Sequence, residues 1–239
     1  MIEVKGISKE YKIPTEKRLT VFETLIGHIK REIAYENFFA LKDITFRIES
    51  GEIIGLIGKN GSGKTTLLKI LGGVLSPTQG TFTIKGRAAP FLSLGVGFHH
   101  ELTARENLYL YGALLGMSRH EINVKLNDIL NFAGVERFKN MKLKNFSTGM
   151  IGRLAFALMI QTDPDVLLLD EIFAVGDKDF VPQSVAVLQE YKRRGKTILF
   201  ASHDLPFISK YCDQVIFLDE GKIKMFGKTD EVIKAYLTP

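Results

Sequence analysis

The sequence predicts an α/β fold: a mostly parallel sheet with helices packed on it, interrupted by one helical insertion. Three observations carry this. The runs Ile53–Ile57, Val166–Leu169 and Thr197–Ala201 are continuously apolar, as strands buried on both faces are. Between the first run and a helix-patterned stretch (Thr66 to Leu71) lies the loop Gly58-Lys59-Asn60-Gly61-Ser62-Gly63-Lys64-Thr65. From about Leu94 to Thr162 the texture turns helical before the strands resume. Residues 1–93 and 163–239 are therefore assigned to the core and 94–162 to the insertion, with 14–39 as an extra segment within the core.

The loop has the spacing of a phosphate cradle, G-x-x-x-x-G-K-[ST], in the strand–loop–helix setting where that pattern has physical meaning. Its glycines let backbone N–H groups turn inward, and the helix start adds unpaired donors and a positive dipole end. Lys64 is placed to reach terminal phosphates and Thr65, followed by Thr66, to offer its hydroxyl to Mg²⁺.

In chain order, residues 1–8 read as a first strand, with Tyr11 close behind. Within Pro14 to Phe39, Thr20-Val21-Phe22-Glu23 forms a capping box, and Phe22, Leu25, Ile26, Ile29 and Ile33 recur at helical spacing. This is read as an amphipathic helix, with Gly27 against it. Ala40 to Ile48 and Thr81 to Lys85 read as strands. In the insertion, Thr103-Ala104-Arg105-Glu106 and Ser118-Arg119-His120-Glu121 are capping boxes, Gly134 stops the second helix, and a third follows Ser147. Pro182 sits at a helix start. Val215 to Met225 reads as a hairpin and Asp230 to Leu237 as a closing helix.

Several classes are excluded or disfavoured. No apolar run approaches the ~20 residues of a membrane-spanning helix. Met1 to Lys5 leads straight into strand-like sequence, without a secretory pattern. Cys212 is the only cysteine, so no intrachain disulfide forms, and a reducing cytosol is the expected compartment. The net charge of +5 comes without a block of five like charges, so it is read as solubility and no nucleic-acid partner is expected.

Two further strand ends carry chemistry. Asp170 and Glu171 directly follow Val166–Leu169. An acid there, opposite a phosphate loop, is the usual way to hold Mg²⁺, and the second carboxylate is the candidate general base. His203 follows the strand ending at Ala201 and is a candidate for the γ-phosphate or the attacking water. His99, His100 and His120 lack such a setting and are read as structural or exposed. Ser147-Thr148-Gly149 at a helix start makes a second anion site.

These motifs resemble the ATP-binding subunits of ABC transporters over nearly the whole chain. Gly58–Thr65 is similar to their Walker A motif, Val166–Asp170 with Glu171 to Walker B and the catalytic glutamate, Ala174-Val175-Gly176-Asp177 to the D-loop, and His203 to the switch histidine. Phe146-Ser147-Thr148-Gly149-Met150 stands where their signature, usually L-S-G-G-Q, belongs. The resemblance implies a P-loop NTPase (RecA-like) core with an antiparallel β subdomain and an inserted helical subdomain. It also implies a head-to-tail homodimer around two ATP, with Ser147 and Gly149 of one copy closing on the phosphate loop of the other. Tyr11 is the first candidate for stacking on adenine and Phe39 the second.

Two departures stand out. The signature keeps only its serine and one glycine, and no glutamine precedes Leu102, where Ser93 is a weak substitute for the family's glutamine. Arg87–Phe91, Gly97-Phe98-His99, Glu101–Asn107 and Arg153–Ala157 resemble the subgroup that exports bacterial cell-surface polysaccharide, such as O-antigen, capsule or teichoic acid. That implies an integral-membrane permease as partner, polysaccharide as indirect cargo, and a peripheral place on the cytoplasmic face of the inner membrane. It also raises a membrane or permease contact for the 14–39 segment, through Lys30 and Arg31. Ending at Pro239 without a carbohydrate-binding domain, the chain reads as a short member or an excised ATPase domain. The alternatives are an ABC subunit for another substrate and a soluble regulatory ABC-type ATPase.

Overall fold

A computed structural model describes residues 1–14, 35–91, 97–170 and 180–238. Its centre is a six-stranded sheet in the order β5-β6-β7-β3-β8-β9. The strands are β3 (Ile53–Ile57), β5 (Ala88–Phe91), β6 (Val166–Asp170), β7 (Thr197–Ala201), β8 (Gln214–Asp219) and β9 (Lys222–Lys228). The pairs from β5 to β8 are parallel, and only the β8–β9 hairpin is antiparallel. That hairpin turns through Glu220 and Gly221, both at positive φ (47° and 77°), which matches the twist of the strands it joins.

The continuous apolar runs have a direct cause, because both faces of this sheet are covered. Ile54, Leu56, Val166, Leu168, Leu199 and Ala201 pack into one core. Their neighbours Ile53, Ile57, Leu167, Leu169, Ile198 and Phe200 pack into the other. The first core is closed by helix α1 (Lys64–Leu71) and a second sheet, antiparallel, in the order β2-β1-β4. Its strands are β1 (Ile2–Pro14), β2 (Tyr35–Ile48) and β4 (Gln79–Ile84). The second core is closed by α2 (Ala104–Leu114), α3 (Arg119–Phe132), α4 (Thr148–Gln161), α5 (Phe180–Arg193), α6 (Leu205–Tyr211) and α7 (Thr229–Leu237). Cys212 lies in this core, where burial pushes its thiol up to about 12 and keeps it uncharged.

Three features differ from the expectations. First, β1 and β2 run on beyond the core as a long arm, pairing Tyr11 with Phe38 and Pro14 with Tyr35. The flanks of the 14–39 segment are thus strand, and the helix expected from Thr20 to Ile33 lies outside the described residues. Second, Ala88–Phe91 forms a strand that its four residues and Pro90 conceal. Among the described residues it pairs on one side only, with β6, and a proline is tolerated on such an edge. Third, a short helix follows His203, with Asp204 as its N-cap accepting from Phe207 N–H at 3.0 Å.

The expected starts of α2 and α3 form as reciprocal capping boxes. Thr103 and Ser118 accept from the N–H of Glu106 and Glu121, and those carboxylates accept in return. The bond from the Thr103 backbone holds Glu106 below the usual carboxylate range, and that from the Ser118 hydroxyl does the same for Glu121. A lowered carboxylate contributes stability above its unfolded pKa and loses it as pH falls through the folded one. Hydrogen exchange at the first turns of α2 and α3 is therefore expected to rise ahead of the central sheet on acidification below about pH 4. Simultaneous loss in all three places would remove the caps as local determinants.

Candidate functional site

The register of the central sheet puts the three chemically loaded strand ends side by side. Asp170 pairs with Ala201, and Ala201 with Leu56. The chain therefore leaves β3, β6 and β7 along one edge, which brings the 58–65 loop, Asp170 and the Ser202-His203 turn together. This is where ligands bind in open parallel sheets.

The loop itself is shaped by close backbone approaches. Gly58, Gly61 and Gly63 have φ of 151°, 80° and 109°. A Cβ on Gly58 would sit 2.2 Å from the Leu218 carbonyl oxygen, and one on Gly63 2.6 Å from that of Ala40. Gly61 instead meets nothing within 4 Å and faces open space. The β8–β9 turn braces the loop from behind: Gly221 N–H donates to the Ser62 carbonyl (3.1 Å), while the Gly221 carbonyl accepts from Lys42 N–H (2.7 Å). Gly221 was unmarked in the sequence beyond being a hairpin turn. Its role depends on a contact more than 150 residues away in the chain, which spacing does not reveal.

Lys64 opens α1 and is buried. Its ammonium donates to the carbonyls of Gly58 (2.7 Å) and Lys59 (3.1 Å), so the charge is held inside the loop. The Thr65 hydroxyl donates to Asp170 Oδ2 at 2.7 Å across 105 residues of sequence. A hydroxyl and a carboxylate this close, both oxygen donors, suit a hard divalent cation beside phosphate oxygens.

A cleft of about 260 Å³ opens in front of the loop. It is lined by Asn60, Gly61, Gly63, Lys64, Thr65 and Thr66, by His203, and by Tyr11, Phe38 and Ala40 from the arm. The structure thus brings Tyr11 and His203 to the phosphate loop. It places Phe38 rather than Phe39 beside Tyr11: Phe39 pairs with Glu10 and does not line the cleft. A bulge is the reason. Lys9 pairs with Leu41 but Glu10 with Phe39, so Ala40 is an extra residue and the faces of β2 shift by one.

Ser147 caps α4, its hydroxyl accepting from Met150 N–H at 3.2 Å. Ser147 and Thr148 are exposed, and no residue of α4 lines the cleft. The capped helix start expected at Ser147 is therefore formed, and it is not part of the cleft in front of the phosphate loop. Ahead of α2, the buried Asn107 amide donates to the carbonyls of His99, Leu102 and Thr103 (3.0, 3.2 and 2.9 Å) and fixes that loop. Glu171, Ser93 and the 174–177 stretch lie outside the described residues.

Comparison with known proteins agrees with this geometry. A family profile described as "ABC transporter" matches residues 41–174. The O-antigen export system ATP-binding protein RfbB of Klebsiella pneumoniae is 37% identical over 240 residues, 99% of this chain and 97% of the relative. The teichoic acids export ATP-binding protein TagH of Listeria innocua serovar 6a is 38% identical over 98% of this chain and 69% of its own length. Among solved structures, an ATP-binding subunit of an ABC transporter superposes with a TM-score of 0.78 at 27% identity, covering 98% of this chain and 92% of the other. A bacterial ABC transporter cassette, MJ0796, solved as a dimer, gives 0.75 at 25% identity, with 96% and 99% covered.

Proposed function

The chain belongs to the ABC transporter family as an ATP-binding, ATP-hydrolysing subunit, and on that footing we propose that two copies close around two ATP to drive export of a cell-surface polysaccharide through a separate membrane permease. The observation that carries the nucleotide part is the cleft that gathers Lys64, Thr65, His203 and Tyr11, with Asp170 hydrogen-bonded to Thr65.

The triphosphate fits this cleft. The inward N–H groups from Gly58 to Thr66, with Lys59, Asn60, Gly61, Ser62 and Gly63 between, cradle it, and Lys64 neutralises its terminal charge. Thr65 and Asp170 are the residues that would hold Mg²⁺, which would offset negative charge developing on the phosphates. Glu171 accepts the proton of the attacking water, and His203 donates to the γ-phosphate or orients that water. Tyr11 stacks on the base. In this dimer the open side of the cleft of one copy meets the exposed Ser147, with Gly149, of the other. A two-fold arrangement makes both sites at once.

The polysaccharide part is supported by a near full-length match to a protein whose name is O-antigen export. Among the described residues no helix is long and apolar enough to cross a membrane. Translocation therefore needs a permease, and the chain sits against it on the cytoplasmic face of the bacterial inner membrane. Deleting the gene in its host is expected to remove polymer from the cell surface while lipid-linked polymer accumulates inside. The wild-type gene should restore export and an Asp170→Ala variant should not. Normal surface polymer after deletion would refute the assignment.

A further inference from the structure

The helix that starts at Ser147 is tied down at its other end. The last carbonyls of a helix have no partner within it. At the end of α4 those of Met159, Ile160, Gln161 and Thr162 all accept from side chains: the Thr162 hydroxyl (2.7 Å), the Tyr191 hydroxyl (2.7 Å), the Lys125 ammonium (2.6 Å) and the Arg87 guanidinium. Only the first donor is local. Tyr191 stands on α5, Lys125 on α3 and Arg87 just ahead of β5. The two cations also complement the negative end of the helix dipole. Tyr191 is 4% exposed, and burial pushes its phenol up to about 12, so the hydroxyl stays protonated and donating. On one side of this joint opens a cavity of about 790 Å³, lined by Lys125, Ile160, Gln161, Asp163, Tyr191 and Arg194, so hydrogen bonds rather than filled space fix α4 there. Past the joint the chain enters β6, which is paired on both sides, with β5 and β7.

We propose that Tyr191, Lys125 and Arg87 are positioning residues for the shared ATP site: they set the angle at which α4 leaves the core, and so where its Ser147 meets the phosphate loop of the second copy. This rests on the reading of the site as one shared between two copies. The core end of the joint is held by the sheet, so the helix end is the one that shifts when a donor is lost. α4 has 14 residues and is about 21 Å long, so a tilt of about 5° at its clamped end carries Ser147 about 2 Å. A misplacement of about 1 Å costs a reacting site up to ~10²-fold. Tyr109 offers a control of the same chemistry. Its hydroxyl donates to Asn123 Oδ1 at 2.8 Å, but it joins α2 to α3 and leaves the end of α4 alone.

Tyr191→Phe keeps the ring and removes the donor. It is expected to bind ATP as the wild type does and to lower kcat about tenfold, a split that marks lost positioning rather than lost binding. Lys125→Met should act in the same direction, Lys125→Arg should restore turnover, and Tyr109→Phe should leave it unchanged. The decisive measurement asks which copy carries the change. In a mixed dimer of Lys64→Ala and Ser147→Arg copies, the intact site joins the loop of the Ser147→Arg copy to the Ser147 of the Lys64→Ala copy. Tyr191→Phe added to the Lys64→Ala copy should lower hydrolysis about tenfold, and added to the Ser147→Arg copy it should have no effect. A clamp that only stabilised the fold would act equally in both arrangements, and that result, or no effect in either, would overturn the proposal while leaving the shared site standing. A parent mixture without activity, with both copies folded and dimerising, would overturn the shared site and the clamp with it.

Discussion

Glu171→Gln is expected to bind ATP, to lose nearly all turnover, and to accumulate as a dimer. Asp170 is fixed by its pairing with Ala201 and by the Thr65 hydroxyl at 2.7 Å, and Glu171 is the next residue in the sequence. A carboxylate there takes the proton from water attacking the γ-phosphate, whereas an amide of the same shape does not. Loss of a general base costs about 10²–10⁴-fold. Binding survives because Lys64, the loop N–H groups and the arm are untouched. With ATP bound and not cleaved, the two copies stay closed around it. Steady-state hydrolysis and solution mass with and without ATP check this, and wild-type turnover in the variant would remove Glu171 from the mechanism.

Lys64→Ala acts one step earlier. Lys64 is only 6% exposed, and its charge is held by the carbonyls of Gly58 and Lys59. Without ligand, the ammonium satisfies loop carbonyls, and with ATP it turns its charge on the phosphates. Removing it takes away a buried cation that lines the cleft, so ATP affinity is expected to fall at least ~10²-fold, typical for one lost electrostatic donor at such a site. Thermal melting reads this directly. Saturating ATP stabilises a chain that binds it, by about 2.7 kcal/mol at a hundredfold excess over Kd. The wild-type melting temperature should rise with ATP and that of Lys64→Ala should not. An equal rise in both would contradict the role given to Lys64.

What the sequence made legible, and what it hid, divides along physical lines. The phosphate loop, the buried parallel strands and the capped helices of the insertion are local patterns. A glycine spacing, an apolar run and a Thr-x-x-Glu each act within a few residues, and each formed where expected. The misses depend on contacts far apart in sequence. Ala88–Phe91 is a strand only because β6 lies beside it. Whether Phe38 or Phe39 lines the cleft is decided by one bulged residue, Ala40, since a shift of one reverses every side chain on a strand. The bracing of the loop by Gly221 requires the β8–β9 turn to reach Ser62, which only the folded chain arranges. The signature serine shows both sides. Its capping role was readable from Ser147 preceding a helix, but its absence from the cleft of its own chain was not.

The central proposal is that each ATP site takes its phosphate loop from one copy and its Ser147 from the other. Mixing two inactive variants tests it. Lys64→Ala ruins the loop, and Ser147→Arg blocks the opposing face. Dimers of either variant alone have no intact site. In a mixed dimer the intact loop of one copy meets the intact Ser147 face of the other, so one site is whole. Hydrolysis by the two variants mixed, well above that of either alone, is the predicted result. A mixture no more active than its components, with both variants folded and dimerising, would contradict a site shared between two chains.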